Sequence, residues 1–291
     1  MHFLAEYPFA PQTFRTADGH NISYIDEGKG LAVVMLHGNP SWSYLYRNVV
    51  TALWADYRCI APDHLGCGLS DKPQNWPYRL QNHIDNLSAL LDHLNIERCV
   101  LIVHDWGGAI GMGWAGQHPE RVAGLAVLNT AAFRSSRLVL RIAVCRWPLL
   151  GPLLVRGLNG FAWPATFLAV HKKMPPEVKH GFLAPYNNWA NRVAIHRFVQ
   201  DIPMRPDHPS WNTLAEVEHS LERLQKKPML ICWGGHDFCF NGQFYAEWLR
   251  RFPKAENHYF PQAGHYVLED ALPEVLELLP RFLADCQQKS L

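Results

Sequence analysis

The segment Val103-His104-Asp105-Trp106-Gly107-Gly108 places a carboxylate in a backbone context that suits nucleophilic catalysis. It lies where an apolar strand pattern gives way to a helix that begins with glycines. A sharp strand-to-helix turn of this kind, a nucleophile elbow, exposes one side chain above the edge of a sheet. Here that side chain belongs to Asp105, although an aspartate before a helix can also serve only as its N-cap. The sequence therefore predicts a carboxylate nucleophile at position 105.

Two later residues complete a candidate catalytic triad. In proteins with such an elbow, the acid and then the histidine follow the nucleophile in chain order. Asp237 comes just after a late strand pattern, and His265 comes just before the last predicted helix. We expect Asp237 to orient His265, which would activate water or stabilise charge. The neighbouring His104 and His236 are expected to be structural.

An aspartate nucleophile narrows the reaction class. A carboxylate attacks a carbon that bears a leaving group and forms an ester or anhydride with the enzyme. Dehalogenation, epoxide opening and related strained-ring reactions fit this chemistry. Backbone N–H groups of Trp106 and of the segment Met35 to Pro40 would form an oxyanion hole, with His37 holding that loop in shape. No metal or organic cofactor is implied, because side chains supply the nucleophile, the donors and the base.

Apolar runs of strand length alternate with helical patterns, which predicts an α/β fold with a mostly parallel sheet covered on both faces. The strand candidates are Leu31 to Leu36, Arg58 to Ala61, Val100 to Val103, Val122 to Leu128 and Met229 to Trp233. The helix candidates are Ser43 to Leu53, Leu80 to Leu94, Gly107 to about His118, Gln243 to Phe252, and Val267 to Cys286 with a break at Pro273. Thr13 to Asp26 is predicted to be a hairpin around Asp18-Gly19.

The alternation stops between about Ala132 and Asn212, where prolines interrupt short helical pieces. We interpret residues 132–212 as a helical cap, inserted before the late strands and covering the carboxyl edge of the sheet. Residues 1–131 and 213–291 would then form the core.

Composition excludes several other classes of protein. The 27 basic and 26 acidic residues leave a net charge of +1, which argues against a nucleic-acid binder. Seven dispersed cysteines indicate free thiols in a reducing cytoplasm rather than a disulfide framework. Residues 1–6 show no secretion signal, and no run of roughly 18 apolar residues predicts a membrane span. We therefore expect a cytoplasmic protein.

Three motifs resemble the α/β-hydrolase superfamily, and specifically its haloalkane dehalogenase-like branch. They are His37-Gly38-Asn39-Pro40-Ser41-Trp42, the run from Pro62 to Pro73, and His104-Asp105-Trp106-Gly107-Gly108. The resemblance implies a mostly parallel twisted sheet flanked by helices, with a helical cap. In that branch the residues matching Asn39 and Trp106 donate side-chain N–H groups to the leaving halide, and both residue types are donors.

Two sister activities fit the residues poorly. Similar epoxide hydrolases use two lid tyrosines, whereas Tyr186 is the only tyrosine between Ala131 and Lys227. Fluoroacetate dehalogenases place arginine directly after the nucleophile, where this chain has Trp106.

A closer resemblance is to the β-lactone decarboxylases of bacterial long-chain olefin biosynthesis. The motifs that carry it are the run from Leu128 to Phe133, the run from Arg197 to Pro203, and Asp237-Phe238-Cys239-Phe240. It implies conversion of a long-chain cis-β-lactone to a cis-olefin and carbon dioxide, and haloalkane dehalogenation is the alternative. A non-catalytic binder of hydrophobic ligands is a third hypothesis, against which the intact triad argues. Attack by Asp105 on the ring carbon or on the carbonyl carbon stays open.

The cap has an unusual charge pattern. Between Arg121 and Pro176 there is no acidic residue, while apolar runs separate the basic residues Arg121, Arg134, Arg137, Arg141, Arg146, Arg156, Lys172 and Lys173. Spacings of three and four predict that Arg134, Arg137 and Arg141 share one helix face. Such a segment suits a long-chain hydrophobic substrate. It could also dock on other olefin-biosynthesis enzymes or an anionic membrane, or form an ordinary solvated face.

Overall fold

The computed structural model describes residues 6–288, so residues 1–5, where no secretion signal is predicted, lie outside the described part. A central sheet contains β1 (Gln12–Arg15), β2 (Asn21–Glu27), β3 (Ala32–Leu36), β4 (Arg58–Pro62), β5 (Cys99–Asp105), β6 (Val122–Thr130), β7 (Met229–Gly234) and β8 (Glu256–Phe260). Its strand order is β1-β2-β4-β3-β5-β6-β7-β8. Strands β3 to β8 run parallel, and β2 is antiparallel to both of its neighbours. The predicted hairpin and mostly parallel sheet are thus confirmed.

The central strands are buried on both faces. In β5, Val100 and Ile102 belong to one apolar cluster, while Leu101 and Val103 belong to another on the opposite face. Alternate residues of a strand point to opposite faces, so helices must cover both. This requirement explains why the inner strands are continuous apolar runs.

Helices that lie outside the long insertion after β6 cover the two faces. They are α1 (Arg47–Leu53), α2 (Leu80–His93), α3 (Trp106–Gln117), α9 (Trp211–Ser220), α10 (Gly242–Arg251), α11 (Val267–Asp270) and α12 (Leu272–Gln288). The terminal helical region breaks at Ala271, between α11 and α12. Pro273 then lies in the first turn of α12, where a residue without a backbone N–H loses no hydrogen bond within the helix. Strand β8 was missing from the predicted elements, since this polar edge strand has no buried alternation.

The insertion between β6 and α9 consists of short helices. They are α4 (Leu140–Val144), α5 (Leu150–Pro152) continued by a π-helical turn (Leu153–Gly157), α6 (Ala162–Leu168), α7 (Pro176–Leu183) and α8 (Val193–Gln200). The division into a core and a cap of residues 132–212 stays a prediction. Among the helices of residues 6–288, none is both long and apolar enough to cross a bilayer.

The prediction that Arg134, Arg137 and Arg141 share one helix face is wrong. Only Arg141 lies in a helix, because the chain before α4 is irregular. The Ser135 hydroxyl accepts a hydrogen bond from the Arg137 backbone N–H, a local contact that competes with helix formation. Arg134 forms an ion pair with Glu218.

Candidate active site

Asp105 ends β5 in a strained turn. Its φ is 51° and its ψ is −124°, a left-handed conformation that non-glycine residues rarely adopt. Close packing fixes this turn: a side chain at Gly107 would overlap the Leu36 carbonyl, and one at Gly108 would overlap Thr130. The result is an elbow that holds the Asp105 carboxylate above the carboxyl edge of the sheet, where the sequence predicted it.

The two carboxylate oxygens of Asp105 have different environments. Oδ1 accepts a hydrogen bond from the Asn39 backbone N–H at 2.6 Å, and the Trp106 backbone N–H also donates to the carboxylate. Oδ2 lies 3.8 Å from Nε2 of His265. Burial raises the pKa of Asp105, while His265 and the two N–H groups oppose that rise. The predicted backbone donors therefore both contact this carboxylate, while Oδ2 faces His265.

His265 and Asp237 form the contact expected of the other two triad members. Nδ1 of His265 donates to Oδ2 of Asp237 over 2.8 Å, which leaves Nε2 directed at Asp105. Burial disfavours the charge on His265, but attraction to Asp237, this hydrogen bond and the nearby Asp105 together raise its pKa. Burial would raise the pKa of Asp237, yet His265 and the backbone N–H groups of Cys239 and Phe240 hold it below the ordinary value. A buried imidazolium–carboxylate pair is thereby favoured.

The other candidate histidines make structural contacts. Burial lowers the pKa of His104 to about 3, and its Nε2 donates to the His265 carbonyl at 2.9 Å. His37 accepts a hydrogen bond from the His64 backbone N–H and contacts the Gly38 carbonyl, and its pKa is lowered by burial. His236 is exposed and packs against His171.

Asn39 and Trp106 both line the cavity above Asp105. Nδ2 of Asn39 donates one hydrogen to the Ile195 carbonyl of α8 at 3.1 Å, and its second hydrogen is not used in that bond. Oδ1 of Asn39 is buried without a partner in residues 6–288. The Trp106 indole packs against Phe198. The structure thus brings both predicted donors to the nucleophile.

Sequence reasoning assigned no role to Asn129. This residue is the second to last of β6 and has a φ of 33°, and it exchanges hydrogen bonds with the backbone of Gly234. Its Nδ2 also donates to Oδ2 of Asp237 at 3.0 Å. An asparagine at a strand end beside the elbow was a usable signal, because Asn tolerates positive φ.

The cavity has a volume of about 210 Å³ and a mostly apolar lining. Asp105, Trp106 and His265 lie at its core end, and cap residues such as Ile142 and Phe161 form its other side. Tyr186 does not line it: the hydroxyl donates to the Ser41 carbonyl and accepts from the Gly68 N–H. In the described part of the chain, no group of three His, Cys, Asp or Glu side chains is placed to hold a metal ion.

Comparisons with known proteins agree with this geometry. A family model described as "alpha/beta hydrolase fold" matches residues 32–272. The chain is 46% identical to the cis-3-alkyl-4-alkyloxetan-2-one decarboxylase of Shewanella oneidensis, with 94% of this chain and 88% of that protein covered. It is 43% identical to the protein of the same name from Xanthomonas campestris, with 95% of this chain and 97% of that protein covered.

More distant relatives are haloalkane dehalogenases. Haloalkane dehalogenase 2 of Mycobacterium tuberculosis is 32% identical, covering 91% of this chain and 92% of that protein. A solved haloalkane dehalogenase from Agrobacterium tumefaciens superposes with a TM-score of 0.84 at 25% identity, covering 95% of this chain and 97% of that one. The relatives therefore fall into the two enzyme classes that the sequence motifs resemble.

Proposed function

The chain belongs to the alpha/beta hydrolase fold family, and from that premise we propose that it is a decarboxylase of long-chain cis-β-lactones. The observation that carries the proposal is the identity of 46% and 43% with two oxetanone decarboxylases over nearly the whole chain, against 32% with a haloalkane dehalogenase. An oxetan-2-one is a β-lactone, so the names of these relatives specify the strained ring that a carboxylate nucleophile can open. The free thiols support a reducing, cytoplasmic location.

In one route, Oδ2 of Asp105 attacks the ring carbon that bears the lactone oxygen. That C–O bond breaks, and its electron pair leaves on the oxygen of a new substrate carboxylate. The C–C bond to this carboxylate then breaks and releases carbon dioxide, and its electrons form the olefin as the C–O bond to Asp105 breaks. Inversion followed by anti elimination keeps the alkyl groups cis, and no water is consumed.

In the other route, Asp105 attacks the lactone carbonyl, whose bond to the ring oxygen breaks, and a mixed anhydride and an alkoxide form. The alkoxide would then attack the carboxyl carbon of Asp105 and expel the substrate carboxylate from the anhydride, which gives an Asp105 ester that loses carbon dioxide when the same two bonds break as in the first route. In either route the side chains of Asn39 and Trp106 would donate to the developing anion. The Asn39 backbone N–H holds Oδ1 of Asp105, which would leave Oδ2 to attack the substrate. His265, oriented by Asp237, would stabilise the carboxylate charge in its cationic form.

The raised pKa of His265 makes the lactone reaction dependent on pH in a definite direction. A histidine with a raised pKa stays protonated above its ordinary value near 6.5, and it loses the proton as the pH rises further. Since decarboxylation consumes no water, we expect kcat for a cis-β-lactone to fall with rising pH as the His265 cation is lost. It should also fall in acid, where Asp105, whose pKa is raised, becomes protonated.

The control for this pH profile is Asp237→Asn, which removes the charge that favours the imidazolium. The alkaline fall should then move to lower pH. Dehalogenation by the same site would need neutral His265 to activate water, so its rate would rise through the same range. A lactone rate that climbs steadily with pH would contradict the proposed role of the cation.

The substrate class is tested by comparing two substrates with the pure protein. A cis-3,4-dialkyl β-lactone should give cis-olefin and carbon dioxide with a kcat/KM about 100-fold or more above that for halide release from a 1-haloalkane. Gas chromatography measures the olefin, and ion chromatography measures the halide. Efficient halide release without any olefin would establish the dehalogenase alternative, which the side-chain donors of Asn39 and Trp106 also allow.

A further inference from the structure

Most of the large apolar side chains exposed on residues 6–288 lie in the cap. We call the following residues the cap patch: Leu140, Trp147, Leu149, Leu150, Leu153, Leu158, Trp163, Phe167, Leu168 and Trp189. Single exposed apolar residues are ordinary, but a concentration of this kind marks a surface that meets another apolar phase. The core, by comparison, exposes few such side chains, among them Leu69 and Tyr259.

One leucine of the cap patch has an energetically unfavourable backbone conformation. Leu149 has a φ of 64°, which is unfavourable for a bulky side chain, and 88% of the residue is exposed. Its neighbours fix this geometry: the Gly151 N–H donates to the Trp147 carbonyl at 2.8 Å, and a side chain at Gly151 would overlap the Cys145 carbonyl. A strained backbone that holds an apolar side chain in solvent is unusual, and strained residues of this kind are concentrated at functional sites.

Contacts link members of the cap patch to one another. Leu153 and Trp189 both approach Gly157, where a side chain would meet each of them. Trp163 and Phe167 pack edge to face with ring centroids 5.0 Å apart. Tryptophan beside leucine is the combination that the interface of a bilayer favours, because the indole has an apolar body and a polar N–H group.

Cations without ion-pair partners accompany the cap patch. Arg137, Arg141 and Lys173 are exposed, and none of them forms an ion pair within the described residues. The chain from 122 to 176 also contributes no carboxylate of its own. Arg134, by contrast, is already paired with Glu218. The free positive charge is therefore complementary to an anionic surface.

The cap patch continues into the cavity. Leu168 belongs to both, and Arg137 and Arg141 line the cavity while remaining exposed. An apolar ligand that arrives at the cap patch would thus meet a lining of the same character down to Asp105.

We propose that the cap patch docks the protein on the surface of an anionic lipid bilayer. Exposed leucine and tryptophan would insert at the level of the headgroups, while Arg137 and Arg141 contact lipid phosphates. We favour a lipid surface over a partner protein because exposed Leu168, Arg137 and Arg141 also line the cavity, which would give a ligand dissolved in the bilayer a direct route to Asp105. Entry of the ligand from the bilayer rests on the proposed function, because a lactone with two alkyl chains resides in the bilayer rather than in water. Docking of the protein on the bilayer does not rest on the proposed function.

Flotation of the full chain with lipid vesicles tests the proposal without any substrate. We expect about tenfold more protein on vesicles of mixed phosphatidylcholine and phosphatidylglycerol than on phosphatidylcholine alone, and a decrease with added salt. Leu149→Ser/Leu153→Ser should reduce binding about tenfold, because two inserted side chains are lost. Arg137→Gln/Arg141→Gln should reduce only the part that depends on the anionic lipid.

The matched control is Leu69→Ser/Tyr259→Ser, which removes two exposed apolar side chains outside the cap and should bind as the unmodified protein does. Circular dichroism melting checks that each variant is folded. Equal flotation of the two double serine variants, or no flotation on either vesicle, would overturn the proposal. Self-association that is lost in the Leu149 and Leu153 variant, without flotation, would assign the patch to a second copy instead. Lactone turnover without vesicles tests the proposed function separately.

Discussion

Replacing Asp105 with alanine should abolish turnover of a cis-β-lactone, with a loss of about 10⁴-fold or more in kcat, and should leave the protein folded. The loss follows because the reaction has no other carboxylate to form the covalent bond, and a missing nucleophile removes the whole chemical step. Folding should survive because the carboxylate is buried at an energetic cost that its removal relieves. Olefin formation under single-turnover conditions measures the effect.

A control variant and a binding measurement accompany this experiment. Asp85→Ala removes an exposed carboxylate on α2 and should keep full activity. Binding of the lactone to the Asp105→Ala variant, measured by calorimetry, should persist because the apolar lining is intact. Near-normal olefin formation by this variant would refute the assignment of Asp105, and a wild-type protein that binds the lactone without ever converting it would be a ligand-binding module.

The second large effect is expected from Asp237→Asn. The two oxygens of Asp237 accept from different donors, Oδ1 from the backbone N–H groups of Cys239 and Phe240 and Oδ2 from His265 and Asn129, so one amide cannot replace both. The amide also lacks the negative charge that favours the His265 cation, so the ring should lose its second proton at lower pH than in the unmodified protein. We expect kcat to fall by about 10³- to 10⁴-fold, because both the orientation and the charge of His265 are lost.

The readout separates this positioning effect from damage to the fold. Thermal unfolding should show a stable protein, while the lactone KM changes little because Asp237 does not line the cavity. Nitrogen NMR of His265 at the pH of the assay should show a neutral ring in the variant and an imidazolium in the unmodified protein. Normal kcat in a variant whose His265 is neutral would show that the cation does not matter for the reaction.

The site was more predictable from the sequence than the cap was. Asp105, Asp237 and His265 each follow or precede a strong local pattern, and parallel strands bring their carboxyl ends to one edge of the sheet. The fold supplies the rest of the geometry, because the groups that donate to the Asp105 carboxylate are the backbone N–H groups of Asn39 and Trp106, and residues of almost any type carry such a group. No role for Asn129 was predicted, because its contacts join the ends of strands that are far apart in the chain.

In the cap, spacing alone was misleading. Arg134, Arg137 and Arg141 have helical intervals, yet a hydroxyl contact at Ser135 and the ion pair with Glu218 determine the path of the chain there. Helices as short as α4 and α5 lack the length over which periodicity becomes informative. Strand β8 escaped because an edge strand needs no apolar face to pair through its backbone.

The hydrogen bond from Asn39 to the Ile195 carbonyl has an evolutionary consequence. It makes a backbone atom of α8 part of the environment that orients a donor at the nucleophile, although α8 carries no member of the triad. Substitutions that move α8 can therefore change the orientation of the Asn39 donor, and with it the contact to a departing anion, while Asp105, Asp237 and His265 stay in place. A change in how a leaving anion is held then requires no change at Asp105, Asp237 or His265, and the inserted segment is the part of the chain on which selection for a new substrate can act.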